Sequence, residues 1–158
     1  MDKDLMVKRF MKKERCTKRE IEELIQRYED IPLTLPITDE PMRRVCQVLT
    51  NHRYITLESC EGHGKDAPKI YLKCDRQPRL RHLAYIVGSH RMFAARHFRW
   101  FLEARSPDPI INSDVPLYHV LTAYDWSKMP IEPKRDYQKL LADVDIMGLE
   151  VLRYFSKR

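Results

Sequence analysis

Two short apolar runs, Tyr54-Ile55-Thr56-Leu57 and Lys69-Ile70-Tyr71-Leu72, flank the hexapeptide Ser59-Cys60-Glu61-Gly62-His63-Gly64. Runs of this length, rich in β-branched and aromatic residues, read as strands, and glycine between them lets the backbone reverse. The chain holds only four glycines, and two of them lie in this box, so the reversal belongs here. An antiparallel strand pair is therefore the fixed point around which the rest must fold. The same box places a thiol, a carboxylate and an imidazole on a loop at a strand end. Sites are often built in such places, because a rigid scaffold holds the loop that presents them.

Helical periodicity brackets this hairpin. Residues 1–13 read as a basic amphipathic helix or an arm, with Leu5, Met6, Phe10 and Met11 as its apolar side. Thr17-Lys18-Arg19-Glu20 has capping-box spacing and opens a helix with Ile21, Leu24, Ile25 and Tyr28 on one face. Pro32 and Pro36 hold an extended linker. A cap at Thr38 begins a helix through Asn51, with Met42, Val45, Cys46 and Leu49 inward and Pro41 tolerated in the first turn. After the strands at about 54–60 and 69–74, Pro78 starts a helix with Leu80, Leu83, Ile86 and Val87 as its stripe, stopped by Gly88. Alternation of Phe98, Trp100 and Leu102 predicts a strand over 97–104, with a helix continuing from residue 90 as the rival. A loop carrying Pro107, Pro109 and Pro116 leads to a strand at 117–124. Residues 134–156 read as a long helix, its core side Tyr137, Leu140, Leu141, Val144, Met147, Leu149, Leu152 and Phe155, bent at Gly148. Strand pairs separated by helices predict an α+β fold, an antiparallel or mixed sheet of about four strands covered mainly on one face.

At 158 residues, 43% hydrophobic and 33% charged, the chain suits one globular domain, with residues 1–16 as a basic helical arm. No apolar run approaches the ~20 residues of a membrane helix, and no signal-peptide core follows the basic start, so a cytoplasmic protein is expected. Cys16, Cys46, Cys60 and Cys74 are too scattered for a disulfide scaffold. In the hairpin, Cys60 lies near the turn and Cys74 far from it, which makes their pairing awkward. The net charge of +6 is uneven. Residues 1–19 carry eight Lys/Arg against three acids, and residues 76–105 carry seven arginines against Glu103 alone. Such blocks fit either a solvated surface or a polyanion, for which Arg79, Arg81, Arg96 and Arg99 are the candidate phosphate contacts. Trp100 and Phe101 among these arginines could stack bases, though aromatic residues in a strand are more often core. Tyr124-Asp125-Trp126 either lines a pocket or caps the sheet.

Three readings of the box compete with an ordinary turn. In one, Cys60 is a nucleophile activated by His63, with Glu61 orienting the imidazole. In another, Cys60 and His63 are half of a zinc site, completed by Cys74, His82, His90 or His97. The histidines also fit ordinary surface work, since His82, His90 and His97 fall near one helical face. In the third, Ser59, Glu61, Gly62 and Gly64 form a ligand loop whose amides turn toward an anion, with Lys65 nearby.

A helix ending in Leu49-Thr50-Asn51, then Tyr54-x-Thr56, then Ser59-Cys60-x-Gly62, resembles the Ser-Cys-Ser-Gly-Arg region of the tRNA wybutosine-synthesis methyltransferase family. The Ser-Cys-Glu-Gly-His form is also similar to one in small uncharacterised bacterial and phage proteins. The likeness spans roughly residues 38–74. Ser59, Cys60 and Gly62 match, while Glu61 stands for the family's second serine and His63 for its arginine. The resemblance implies an α/β-type domain that binds S-adenosylmethionine and a tRNA. The leading expectation is thus a ligand loop at Ser59–Gly64 serving RNA or a nucleotide-like molecule. The alternatives are a cysteine- or metal-dependent hydrolase or transferase using Cys60 and His63, and a non-enzymatic, homo-oligomeric interaction module.

Overall fold

The structure is a computed structural model and describes residues 2–14, 16–36, 39–74, 76–88, 96–105, 118–125 and 127–156. Helices α1 (Lys3–Glu14), α2 (Lys18–Glu29) and α3 (Glu40–Asn51) precede the hairpin of β1 (Ile55–Cys60) and β2 (Lys69–Lys73). Then come α4 (Gln77–Gly88), β3 (Trp100–Arg105), β4 (Tyr118–Ala123) and α5 (Pro133–Ser156). The four strands form one antiparallel sheet in the order β1-β2-β4-β3, so the fold is α+β as the patterning predicts.

Local chemistry accounts for most element ends. The Thr17 hydroxyl accepts the Glu20 amide at 3.2 Å and the Glu20 carboxylate accepts the Thr17 amide at 2.9 Å, completing the capping box. The expected stripes of α2, α3 and α4 are buried. The proline linker is pinned by Gln47, whose buried side-chain oxygen accepts the Thr34 and Leu35 amides at 2.9 and 3.2 Å. The predicted cap Thr38, the prolines of 107–116, His90 and Trp126 lie outside the described residues. Asp39 takes the N-cap position of α3.

Helix α1 is rotated from its expected face. Met6, Val7 and Phe10 enter the core, whereas Leu5 and Met11 are about 40% exposed. Helix α5 runs against α2, α3 and α4 and is buried almost all round between Ile146 and Leu152. Gly148 does not break it. Its role is clearance: a Cβ there would stand 2.6 Å from the Tyr28 ring of α2. Tyr28 in turn donates its hydroxyl to Asp145 at 2.7 Å.

The strand expected at 97–104 begins at Trp100, and the reason is a buried carboxylate. Asp143 of α5, fully buried, accepts the His97 and Phe98 amides at 2.6 and 2.8 Å. Those amides are therefore unavailable to a strand ladder. Asp143 also accepts the Trp100 indole N–H at 2.9 Å and lies 3.0 Å from His97 Nδ1. A carboxylate only accepts here, so that nitrogen carries the proton, and Nε2 accepts from the Arg9 guanidinium at 2.8 Å. Trp100 is thus a core residue, not a stacking platform. The neighbouring segment is tied down by Arg96, buried against Glu150 at 3.4 Å and donating to the Val87 carbonyl at 2.8 Å near the end of α4.

Asp143→Ala leaves several buried donors without an acceptor, at ~1–3 kcal/mol for each group that cannot find water. We expect a loss of at least ~3 kcal/mol in urea unfolding, with a shifted Trp fluorescence maximum. Burial, its largest influence, raises the Asp145 carboxyl above its ordinary value despite the Tyr28 hydrogen bond. The folded state then favours the protonated form, so stability contributed by this group is present in acid and falls as pH rises through the folded value. Asp145→Asn, which keeps an acceptor for Tyr28, is expected to be more stabilising at pH 7 than at pH 4, read as the difference in melting temperature from the native chain.

Candidate functional site

The hairpin turn brings together residues from three elements. Cys60 closes β1, opposite Lys69 of β2. After it the backbone passes through left-handed conformations at Gly62 (φ +83°), His63 (φ +51°) and Gly64 (φ +72°). The Gly62 carbonyl accepts the Lys65 and Asp66 amides at 2.9 and 3.2 Å, folding the loop back on itself. A Cβ on Gly62 would lie 2.0 Å from the Asp66 carbonyl oxygen, whereas one on Gly64 meets nothing within 4 Å. His63 has no glycine freedom, and a side chain held at positive φ marks local strain that the surroundings must maintain.

Those surroundings are Glu61, Asp39 and Tyr137. Glu61 Oε1 lies 2.9 Å from His63 Nδ1, which fixes the proton on that nitrogen and leaves the Nε2 lone pair open. The other Glu61 oxygen accepts the Tyr137 hydroxyl at 2.9 Å. Burial raises the Tyr137 hydroxyl above its ordinary value, as do the hydrogen bond to Glu61 and the charges of Glu61 and Asp39, so it stays a donor. Asp39 occupies the N-cap of α3 but makes no side-chain cap bond there. Its Oδ2 accepts the Glu61 amide at 2.9 Å and lies 3.9 Å from His63 Nε2. Asp39, Cys60 and His63 thus each offer a ligand atom, and the three atoms lie within 4.8 Å of one another. Ligands on a tetrahedral zinc-type ion stand ~3.2–3.8 Å apart, so only a small contraction separates this cluster from a coordination sphere.

The expected site residues divide accordingly. Cys60, Glu61 and His63 come together as the box implied. Ser59 does not join them: successive strand residues face opposite sides, and its hydroxyl meets the buried Cys46 thiol of α3. Burial pushes that thiol up to about 11 although the Ser59 hydrogen bond opposes the shift, so Cys46 is an inert core thiol. Four of the loop amides expected to cradle an external anion are engaged within the protein itself. The Glu61 amide holds Asp39, the Gly62 amide points to the Cys60 sulfur at 3.4 Å, and the Lys65 and Asp66 amides close the turn. Cys74 follows Lys73, which pairs with Ile55 at the far end of β1. Five residues of strand place it roughly 15 Å from Cys60, too far to share an ion. His82 and His97 are also elsewhere, His82 against the Tyr154 and Phe155 rings and His97 on Asp143.

The four arginines do not form one face. Arg81 is exposed. Arg79 is half-buried, donating to the His52 carbonyl at 2.7 Å over the Phe155 ring. Arg99 lies near the Tyr124 hydroxyl at 3.4 Å. Arg96 is in the core and cannot reach a polyanion. At the end of β4, the Asp125 carboxylate accepts the Ile131 amide at 2.9 Å, and Tyr124 packs edge-on to Phe101, a capping arrangement. No described helix is long and apolar enough to cross a membrane.

Sequence reasoning missed Asp39 and placed Tyr137 only on the core side of the last helix, not at the site. Asp39 lies over twenty positions from the loop, beside the more obvious cap Thr38. Comparison with protein-family models, curated proteins and solved structures gives no match.

The two loop glycines separate backbone freedom from clearance. Gly62→Ala must displace the Asp66 carbonyl and is expected to cost well over the ~1–2 kcal/mol of a left-handed residue, while Gly64→Ala should cost about that amount alone. Parallel urea titrations of the two variants check this.

Proposed function

We propose that Asp39, Cys60 and His63 bind a divalent transition-metal ion of the zinc type and that this centre carries the protein's chemistry. The observation that carries the reading is the orientation of His63. Glu61, itself held by Tyr137, accepts the hydrogen bond from Nδ1–H and leaves Nε2 directed to Asp39. A carboxylate behind a histidine is the usual outer-shell support of a metal-binding imidazole, fixing its tautomer and strengthening its lone pair. Asp39 and Cys60 set their oxygen and sulfur beside the His63 Nε2, a mixed donor set that a single cation can gather. Thiolate, imidazole and carboxylate together suit zinc or a similar borderline ion rather than magnesium or calcium.

Three protein ligands leave a fourth position for water or substrate, the arrangement of catalytic rather than structural zinc. The His63 side chain is 58% exposed, so solvent reaches the centre from that side. An ion held there would polarise a bound water or carbonyl, which supports the class of metal-assisted hydrolases or transferases. The residues of this chain would have separate tasks. Asp39, Cys60 and His63 hold the ion, Glu61 and Tyr137 orient His63, and Gly62 permits the bend.

Cobalt(II) titration tests the assignment, because a cobalt–thiolate bond gives a near-ultraviolet charge-transfer band. The native chain should bind one equivalent with that band. Cys60→Ser should abolish it, Asp39→Asn and His63→Ala should weaken binding at least tenfold, and Glu61→Gln should weaken it ~10–100-fold. Cys74→Ser should change nothing. Affinity should fall with acid, since every ligand must be deprotonated to bind. A band that survives in Cys60→Ser, or no saturable binding by the native chain, defeats the assignment.

A further inference from the structure

At the far end of α3 from Asp39, aromatic and cationic side chains gather where the ends of α3 and α5 meet α4. The His52 ring stacks on Phe155, centroids 4.8 Å apart. The Arg79 guanidinium lies 5.6 Å over the same Phe155 ring and donates to the His52 carbonyl at 2.7 Å. His82 packs against Tyr154 and Phe155, and Tyr85 against Tyr154 with centroids 6.1 Å apart. Tyr85 is 58% exposed, a large ring that the fold leaves in water.

Charge there is one-sided. Residues 49–57, 72–88 and 151–156 carry six Lys/Arg against Asp75 alone, which lies outside the described residues. Arg53, Arg76 and Arg81 are exposed. Cys74 Sγ lies 3.9 and 3.5 Å from the carbonyl oxygens of Arg53 and Arg76, so those two stretches of chain meet. Arg81 precedes Tyr85 by one turn of α4 and shares its face. Arg27 of α2 also reaches the end of α5, donating to the Ser156 hydroxyl at 3.0 Å, while Glu22 and Glu23 of α2 pair with Lys18 and Arg19.

The backbone supplies an independent observation. The Arg53 amide donates to the Thr50 carbonyl and the Tyr54 amide to the Leu49 carbonyl, each at 3.0 Å, closing α3 in a Schellman turn. Such a turn needs a left-handed residue, usually glycine, and here it is Arg53 at φ +69°. An exposed arginine thus stands where its own side chain works against the fold. Arginine forks hold phosphates, and partly exposed rings stack unpaired bases. We propose that this end of the molecule binds single-stranded nucleic acid, its phosphates on Arg53, Arg76 and Arg81 and an unpaired base on Tyr85 beside Tyr154.

The test is fluorescence anisotropy of the full chain with a labelled oligouridylate of about 12 nucleotides. It should bind saturably, with an affinity that falls steeply with salt. A blunt RNA duplex, whose bases are already stacked, and an abasic chain of the same length should each bind ~tenfold more weakly. Tyr85→Ala should weaken the single strand ~fivefold or more with the salt dependence unchanged, whereas Arg81→Gln should weaken it and lower the salt slope by ~0.7. Arg53→Gly should weaken binding too, yet raise the urea midpoint, because glycine relieves the left-handed turn. Lys134→Gln, an equal loss of charge at an exposed position roughly 30 Å away at the start of α5, should change nothing. The proposal is overturned if the single strand does not bind, if the duplex or the abasic chain binds as tightly, if Tyr85→Ala and Arg53→Gly both leave binding unchanged, or if Lys134→Gln weakens it as much as Arg81→Gln does.

Discussion

A single buried carboxylate organises the packing of α1, α5 and the entry to β3. Asp143 is fully buried on α5, and its two oxygens receive two backbone amides and an indole N–H and lie beside a histidine ring. A charge in that position is tolerable only because it is fully hydrogen-bonded. Its partners cannot leave without exposing it, so the entry to β3, the seating of Trp100 and the orientation of His97 are fixed together. Through His97 the same group reaches Arg9 and anchors α1 to the helical layer. Beside it, Arg96 and Glu150 form a second buried ionic contact that holds the end of α4. Pairs of this kind give little net stability, but removing one partner leaves an uncompensated buried charge.

The hairpin end works differently. Asp39 holds a position from which it could cap α3, worth roughly 1 kcal/mol, yet it bonds the Glu61 amide instead. His63 is held at positive φ, and Glu61 and Tyr137 spend their hydrogen bonds orienting it. Local stability is set aside at several adjacent positions to direct side chains at one small volume. That concentration of unfavourable local choices, more than any one contact, distinguishes this turn from an ordinary hairpin loop.

Much of the fold was legible because its signals are local. The Thr17–Glu20 box, the stripes of α2, α3 and α4 and the hairpin around Gly62 follow from spacing and backbone preference within a few residues. The errors have a common origin in tertiary hydrogen bonds. The β3 strand starts later than the alternation of Phe98 and Trp100 implies, because Asp143 takes the amides of His97 and Phe98. Helix α1 turns Met6, Val7 and Phe10 inward rather than Leu5 and Met11, because packing on its neighbours decides which of two adjacent stripes is buried. Arginines that share a charge block are dispersed among the core, a half-buried aromatic contact and solvent, because charge density along a chain says nothing about direction.

The candidate centre divides along the same line. Cys60, Glu61 and His63 could be named from sequence, since a turn between two strands holds close residues close in space. Their order also set the backbone demand that Gly62 meets. The hairpin also set Cys74 at the far end from Cys60, whereas only the tertiary structure decided that Ser59 faces Cys46 and that Asp39 and Tyr137 complete the group. Short-range steric preferences are written into each residue and survive in any context. Distances between separate elements depend on how the helices pack over the sheet, a property of the whole chain at once.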